Sequence, residues 1–223
     1  MKINSLLITK DLKEITLLEA YCKKKNIHLL AQSFISLKAI KTNSKIETEV
    51  IFFGSKNAFD FYLNQYNHDK NIQISCIGES TKKYIELKGF EVNFYGKEAG
   101  KPEEVSKDLN VWLKGRSICF VESTQSKKTI QKHIESKLKK SLILYETSFK
   151  PIRLKEDFEI LVFTSPSNVE AFLMKNKIND HTKIIAWGKT TESALLKQNL
   201  RVDIVLKKAS LKELILHLKS QNL

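Results

Sequence analysis

The stretches ISCIGESTKKYIELKGFEV (residues 74–92) and IIAWGKTTESALLKQNLRV (residues 184–202) lie 110 positions apart and read as two versions of one pattern. Each runs from an apolar strand into a glycine, Gly78 or Gly188. Hydroxylated and charged residues with helical spacing follow, and then a second apolar strand. Strand, helix and strand in that order are the repeating step of a parallel sheet. The same shift lays VIFFGSKNAFDFYL (50–63) over ILVFTSPSNVEAFL (160–173) without a gap. Phe53/Phe163, Ser55/Ser165, Leu63/Leu173, Gly78/Gly188, Thr81/Thr191, Val92/Val202, Lys97/Lys207 and Ala99/Ala209 are identical pairs, and the apolar positions agree between them. The starts agree only in pattern: SLLITKDL (5–12) against SICFVESTQ (117–125). The chain is therefore two copies of a unit of about 110 residues.

Apolar runs predict strands near 5–9, 27–31, 50–54, 73–77, 91–94, 117–121, 141–145, 159–163, 183–187 and 202–206. Amphipathic spacing predicts helices near 11–25, 56–66, 80–88, 102–113, 124–138, 167–175, 190–198 and 210–220. Five strands and four helices per copy suit a flavodoxin-like doubly wound sheet. Ligands of such sheets bind outside the carboxyl ends of the strands.

Two sets of turns recur at those ends. FGSKNA (53–58) and FTSPSNV (163–169) place small hydroxylated residues where a helix begins. Serine or threonine there caps free N–H groups, and Pro166 suits a first helical turn. GESTKKYI (78–85) and GKTTESAL (188–195) bring a glycine, which lets a ligand approach the backbone, to a helix start whose amides attract anions. GKTT lacks the upstream glycine of a phosphate-binding P-loop, and no G-x-G-x-x-G follows any strand, so a nucleotide is poorly supported. A carboxylate suits the same donors. Between the halves, SLILYETSFKPIRL (141–154) ends an apolar strand on Tyr145.

Composition narrows the partners. Hydrophobic residues make up 42% of 223, enough for true cores, and no apolar run approaches the ~20 residues that cross a bilayer. The opening MKINSLLITKDLKE has charges too close to its short apolar patch for a signal peptide, so the expected location is cytoplasmic, away from membranes. Cys22, Cys76 and Cys119 are widely spaced and read as buried thiols. His28, His68, His133, His181 and His217 have no metal-ligand spacing, so no metal is expected. The net charge is +13. Residues 1–112 hold 17 Lys and Arg against 14 Asp and Glu, whereas residues 113–223 hold 21 against 11. Such a chain attracts polyanions. The strongest basic run, KKTIQKHIESKLKK (127–140), has helical spacing and no interleaved aromatics, which argues against nucleic acid.

Taken in order, VIFFGSKNAF, CIGESTKKYIELKGFEV, LYETSFKP, ILVFTSPSNVEAF, IAWGKTTESALLKQNLRVDIV and ASLKELILHL resemble the uroporphyrinogen-III synthase family over residues 5 to 220. The resemblance implies an α/β fold of two flavodoxin-like parallel-sheet domains joined by a two-stranded β linker. One domain would be discontinuous, 1–34 plus 151–223. The other would be 40–143, with linker strands at 35–39 and 144–150. It implies the cofactor-free, dehydrating cyclisation of hydroxymethylbilane, a linear tetrapyrrole with eight carboxylates, to uroporphyrinogen III. The reaction would take place in a cleft between domains, in a monomer, with hand-over from hydroxymethylbilane synthase. Tyr145 matches the family's tyrosine and would assist departure of the hydroxyl. The substrate-binding set would be Ser55, Lys56, Asn57, Gly78, Ser80, Thr81, Thr164, Ser165, Ser167, Gly188, Lys189, Thr190 and Thr191. The family often carries an arginine and a proline after the first strand and an arginine-bearing turn at the start of the second copy. This chain has Lys10 and Asp11 at the first place, and Glu122, Ser123 and Thr124 at the second. Lys10, Lys56, Lys127 and Lys189 are the cations offered to the carboxylates. The competing readings are a two-domain protein that binds a small anion or a tetrapyrrole without catalysis, and a regulatory nucleic-acid binder.

Overall fold

The structure, a computed structural model, describes residues 3–220. Residues 1–2 and 221–223, the ends of the expected discontinuous domain, lie outside the described residues. The first copy comprises β1 (Ser5–Ile8), α1 (Thr16–Lys25), β2 (His28–Ala31), β3 (Ile35–Ala39), β4 (Val50–Phe53), α2 (Lys56–Leu63), β5 (Gln73–Cys76), α3 (Glu79–Leu87), β6 (Phe94–Tyr95) and α4 (Pro102–Leu113). The second comprises β7 (Ile118–Ser123), β8 (Lys139–Phe149), β9 (Ile160–Phe163), α5 (Pro166–Leu173), β10 (Lys183–Ala186), α6 (Lys189–Lys197), β11 (Ile204–Val205) and α7 (Leu211–Ser220).

These elements form two compact units, which the chain enters and leaves between residues 36 and 37 and between 147 and 148. Both crossings fall inside strands, β3 and β8, which are neighbours in one sheet. Phe34 accepts from the Lys150 amide and Leu144 from the Ile40 amide, so the two segments run antiparallel as a two-stranded ribbon.

The first unit holds a parallel sheet ordered β11-β10-β9-β1-β2. Alternation along β1 splits its core: Leu6 and Ile8 pack with α1 and α7, while Leu7 packs with α5 and α6. All three are fully buried, which at roughly 1.5–3 kcal/mol per side chain makes β1 a central strand despite its distance in sequence from β9. The second unit repeats the order as β6-β5-β4-β7-β8, also parallel, with β3 added beside β8. Its cores lie under α2 and α3 on one face and under α4 on the other.

The copies exchange strands. Each unit takes three successive strands from one copy (β4–β6 or β9–β11) and two from the other (β7–β8 or β1–β2).

Two expectations need correction. The helix expected from residue 11 starts at Thr16, after a short 3-10 turn at Leu12–Glu14 with Asp11 and Glu14 in a capping box. The helix expected over 124–138 does not form. Only 3-10 turns at Thr129–Gln131 and Ser136–Leu138 appear, in a strap lying against α4. Ile130 and Ile134 have helical spacing, yet Lys128 adopts a left-handed φ of 52°. The buried Ser106 hydroxyl donates to the Ile130 carbonyl at 2.6 Å, so that acceptor is taken from the outside. Lys127, Lys128, Lys132 and Lys137, opposed within the segment by Glu135 alone, give the helix little charge support.

Candidate active site

Because each sheet is parallel, its strands deliver their carboxyl ends to one edge. Strand order reverses between β1 and β9 in the first unit and between β4 and β7 in the second, and the crevices of doubly wound sheets open at such points.

In the first unit this point is closed by threonines. The Thr164 amide donates to Thr9 Oγ1 at 2.9 Å, and Thr164 Oγ1 donates to the Thr9 carbonyl at 2.7 Å. The Thr164 hydroxyl proton is thus committed to fastening β9 to β1. Lys10 lies 3.2 Å from Glu14 Oε1 and 5.8 Å from the centre of the Trp187 ring.

In the second unit the equivalent point holds Tyr145. An irregularity in the β7–β8 register pairs Glu122 with Ile143 but Ser123 with Tyr145. The slip puts consecutive residues Leu144 and Tyr145 into the same buried cluster, the kind of re-aiming for which bulges near sites are known. The Tyr145 ring stacks on Phe61 at 4.6 Å. Burial pushes the phenol above its ordinary pKa, only partly offset by hydrogen bonds with the Ser55 and Ser123 side chains, and Glu122 raises it further. Tyr145 is therefore a proton-bearing hydroxyl flanked by the Ser55 and Ser123 side chains.

The two sets of turns differ in kind. Ser55 Oγ accepts from the Ala58 amide at 3.1 Å, and Ser165 Oγ accepts from the Asn168 amide at 3.2 Å, so both serines cap their helices. Asn168, absent from the sequence-based set, is buried and its Oδ1 accepts from the Phe34 amide at 2.8 Å, fixing the start of β3. The repeat has Ala58 there, so no signal marked it. Lys56 and Asn57 are exposed and Ser167 is half-buried. α3 and α6, by contrast, begin at Gly78 and Gly188 without a side-chain cap. Their first-turn amides, at Glu79 and Ser80 and at Lys189 and Thr190, have no side-chain acceptor from the cap, a ready site for an anion.

The two glycines are not equivalent. A Cβ at Gly78 would meet Ala99 Cβ at 2.7 Å, whereas one at Gly188 would meet nothing within 4 Å. Packing requires the first glycine and leaves the second unexplained by the fold. Ser80 and Thr190 are exposed, but Thr81 and Thr191 are buried beneath their helices.

Glu122 and Ser123 were not among the residues selected from the sequence. The ladders pair Ile8 with Val162 and Phe120 with Phe52, and Phe52 and Val162 are repeat-equivalent. Glu122 therefore occupies in its unit the place of Lys10 in the other. That reversal of charge at matched positions was the available signal. Glu122 is 7% exposed; Oε1 accepts from Ser126 Oγ at 2.7 Å, while the buried Oε2 has no hydrogen-bond partner among the described residues. An unpaired buried acceptor of this kind costs about 1–3 kcal/mol, more when charged. Glu122 is among the residues lining a cavity of about 190 Å³ at the carboxyl edge, wholly within the second unit and lined also by Lys127 and Lys128. A wider hollow of about 450 Å³ in the first unit lies at the opposite, amino end of its strands, near Phe158 and Thr182.

All three cysteines are buried, and burial pushes each thiol up to about 11. Among the described residues no group of three or more His, Cys, Asp or Glu is placed to hold a metal ion, and no helix is long and apolar enough to cross a membrane.

Fold and site define a class: a protein of two doubly wound parallel-sheet units whose carboxyl edges present hydroxyls and open helix amides. Comparison with known proteins gives that class a family. The family model described as uroporphyrinogen-III synthase HemD matches residues 18–215. A uroporphyrinogen-III synthase of Chlorobaculum parvum is 27% identical over 177 residues, 70% of this chain and 72% of that protein. The crystal structure of uroporphyrinogen-III synthetase from Helicobacter pylori superposes with a TM-score of 0.70 at 19% identity, covering 98% of this chain and 100% of that one. A mutant uroporphyrinogen III synthase from Thermus thermophilus gives 0.64 at 13% identity, covering 97% and 98%. The chain belongs to the uroporphyrinogen-III synthase family.

Proposed function

We propose that this protein closes hydroxymethylbilane to uroporphyrinogen III with ring D inverted. The observation that carries the reading is the family match over residues 18–215, to which the geometry of Tyr145 adds a chemical role. The substrate would lie in a cleft to which both carboxyl edges contribute. Its carboxylates would meet the open amides at Gly78 and Gly188, the exposed hydroxyls of Ser80 and Thr190, and Lys56, Lys127 and Lys189. Ser55 and Ser165 would serve through the turns they cap, with Asn57, Thr164 and Ser167 beside them. Thr81 and Thr191 would act from beneath, by holding the helix starts in place.

The reaction begins when the C–O bond of the ring-A hydroxymethyl group breaks. Oxygen leaves with the electron pair and takes a proton, and the pyrrole nitrogen delocalises its lone pair to give an azafulvenium cation. A raised pKa keeps Tyr145 protonated, so its hydroxyl assists the departing oxygen. Ring D attacks through its substituted carbon to give a spiro intermediate, which fragments and recloses at the free carbon of ring D with that ring turned over, and loss of the proton from that carbon restores the neutral pyrrole. The pyrroles supply the electrons, and the protein contributes positioning and fixed dipoles. The reading makes the enzyme a cofactor-free lyase. It acts as a cytoplasmic monomer supplied by hydroxymethylbilane synthase.

The test is a coupled assay. Purified protein receives fresh hydroxymethylbilane, the products are oxidised, and the uroporphyrin isomers are separated. Type III isomer above the non-enzymatic type I background is the expected outcome. Type I alone, from folded protein and intact substrate, would leave a tetrapyrrole or small-anion binding protein.

A further inference from the structure

The wider hollow at the amino end of the first unit's strands, about 450 Å³, lies within the ~300–1,000 Å³ of small-molecule sites. Its walls are fastened. Asn176 Oδ1 accepts from the Leu154 amide at 2.8 Å, and Nδ2 donates to the Ile152 carbonyl at 2.8 Å, which ties the segment before β9 to the end of α5. Thr182 Oγ1 donates to the Phe158 carbonyl at 3.0 Å. The apolar lining open to solvent is half-buried Leu154, Leu173 and Ile178, together with Met174, which is 58% exposed. Arg153, Lys155, Lys175 and Lys177 line the same hollow. All four are exposed, and none forms an ion pair among the described residues. Of the two acids there, Glu156 lies 3.1 Å from His28 Nε2, which leaves Asp157.

The second unit serves as an internal control. Carried back from β9, the 110-residue shift also matches Lys155 with Lys45 and Glu159 with Glu49. At the places of Glu156 and Asn176 the second unit has Ile46 and Tyr66, and both pack against its core. The Tyr66 ring stacks on Tyr62 at 5.5 Å and its hydroxyl donates to the Ser44 carbonyl at 3.1 Å, so an aromatic ring stands where the first unit has an amide. The places of Arg153, Lys175 and Lys177 hold Asn43, Gln65 and Asn67. Room and positive charge therefore go together, in one copy. Cations gathered round a hollow repel one another, and no carboxylate of the fold pairs with these. We propose that this hollow binds a small organic anion. The apolar body of the ligand sits against Met174 and Ile178, and its charged group lies among Arg153, Lys175 and Lys177. The site is at the opposite end of the strands from the turns assigned to the substrate, so this ligand is a second one. The proposal does not depend on the reading under Proposed function.

Two dyes test this: 8-anilinonaphthalene-1-sulfonate and N-phenyl-1-naphthylamine, which has the same rings without the sulfonate. Each is titrated into the full-length protein and followed by fluorescence. The sulfonate titration is repeated by NMR on protein labelled with methyl-13C methionine. The chain has two methionines, Met1 and Met174, so one methyl resonance, assigned with Met174→Leu, reports from the hollow itself. The expected result is at least tenfold tighter binding of the sulfonate, with a Met174 shift that saturates over the same concentrations. The variant Arg153→Asn/Lys175→Gln/Lys177→Asn takes the residues of the matching places in the second unit. Its substitutions are at exposed positions, so it should melt within about 2 °C of the wild type and lose the preference for the sulfonate. Equal affinity for the two dyes, no binding of either, or binding that leaves Met174 unmoved overturns the site. So does a folded triple variant that binds the sulfonate as the wild type does. If that variant fails to fold, the wild-type comparison and the Met174 resonance still decide the matter. No step uses hydroxymethylbilane, so failure of this site and failure of the cyclase reading are told apart.

Discussion

Tyr145 shows how one residue is prepared for two requirements. The Phe61 stack fixes its ring, and the Ser55 and Ser123 side chains flank its hydroxyl. Tyr145→Phe keeps the stack and removes only the oxygen. It is expected to lower kcat at least tenfold with KM within about twofold; steady-state kinetics on folded variant would show it, and an unchanged kcat removes the assignment. The two glycines separate packing from ligand access. Gly78→Ala forces a methyl into Ala99 and should lower the melting temperature. Gly188→Ala should leave it in place and weaken substrate binding, since its methyl projects into open space above the amides of α6. Differential scanning calorimetry and KM, measured on both, test this. The thiols act on stability alone. Cys22, Cys76 and Cys119 titrate near 9 when unfolded and about 11 when folded. Between those values the folded chain holds protons that the unfolded chain has released, so stability is fully present below pH 9 and declines towards pH 11. The decline is at most about 3 kcal/mol per thiol. Urea midpoints at pH 8 and 10.5 under reducing conditions should show it, and alanine at all three positions should flatten the slope.

At the scale of elements, most of the fold was legible because apolar runs and helix periods were strong and repeated. The four-residue strands β4 and β9 are buried throughout, and each is followed by a serine-capped helix. What was not legible depended on a partner distant in sequence. The 124–138 segment has a helical pattern, but Ser106 on α4 takes the Ile130 carbonyl and also lies 3.2 Å from His133 Nδ1. No local rule announces a buried serine arriving from another helix. The site followed the same division. The capped turns and the uncapped glycine turns could be read from residues in order, and so could the mismatch of Lys10 with Glu122, whereas the burial of Glu122 became visible only in the folded unit. Ser106→Ala is expected to cost about 1–2 kcal/mol. It should speed amide exchange across 129–138 and leave protection in β1 and β9 unchanged. Uniform loss of protection in both units would show that the strap has no separate stability.

For the whole molecule, the 110-residue repeat predicted matching strands without predicting which would pair, because the exchange leaves the periodicity untouched. The second unit is one continuous run, 37–147, with its parallel sheet complete. It is expected to fold alone with a single cooperative urea transition. The run from 148 onward lacks β1 and β2, leaves the buried edge of β9 bare, and should fold only when a peptide of residues 1–36 is added. Circular dichroism of the two fragments, apart and mixed, checks both statements. The same pairing also sets a schedule for synthesis. β1 and β2 emerge from the ribosome first, yet the second neighbour of β1, beginning at Ile160, is made 129 residues after Ala31. At about 5–20 residues per second that is a wait of roughly 6–26 s. For that interval Leu6, Leu7 and Ile8 have β2 on one side and a bare edge on the other, while the second unit is completed behind them. The nascent chain carries a half-built sheet, with one apolar strand edge open, through the crowded exit path before its second neighbour exists.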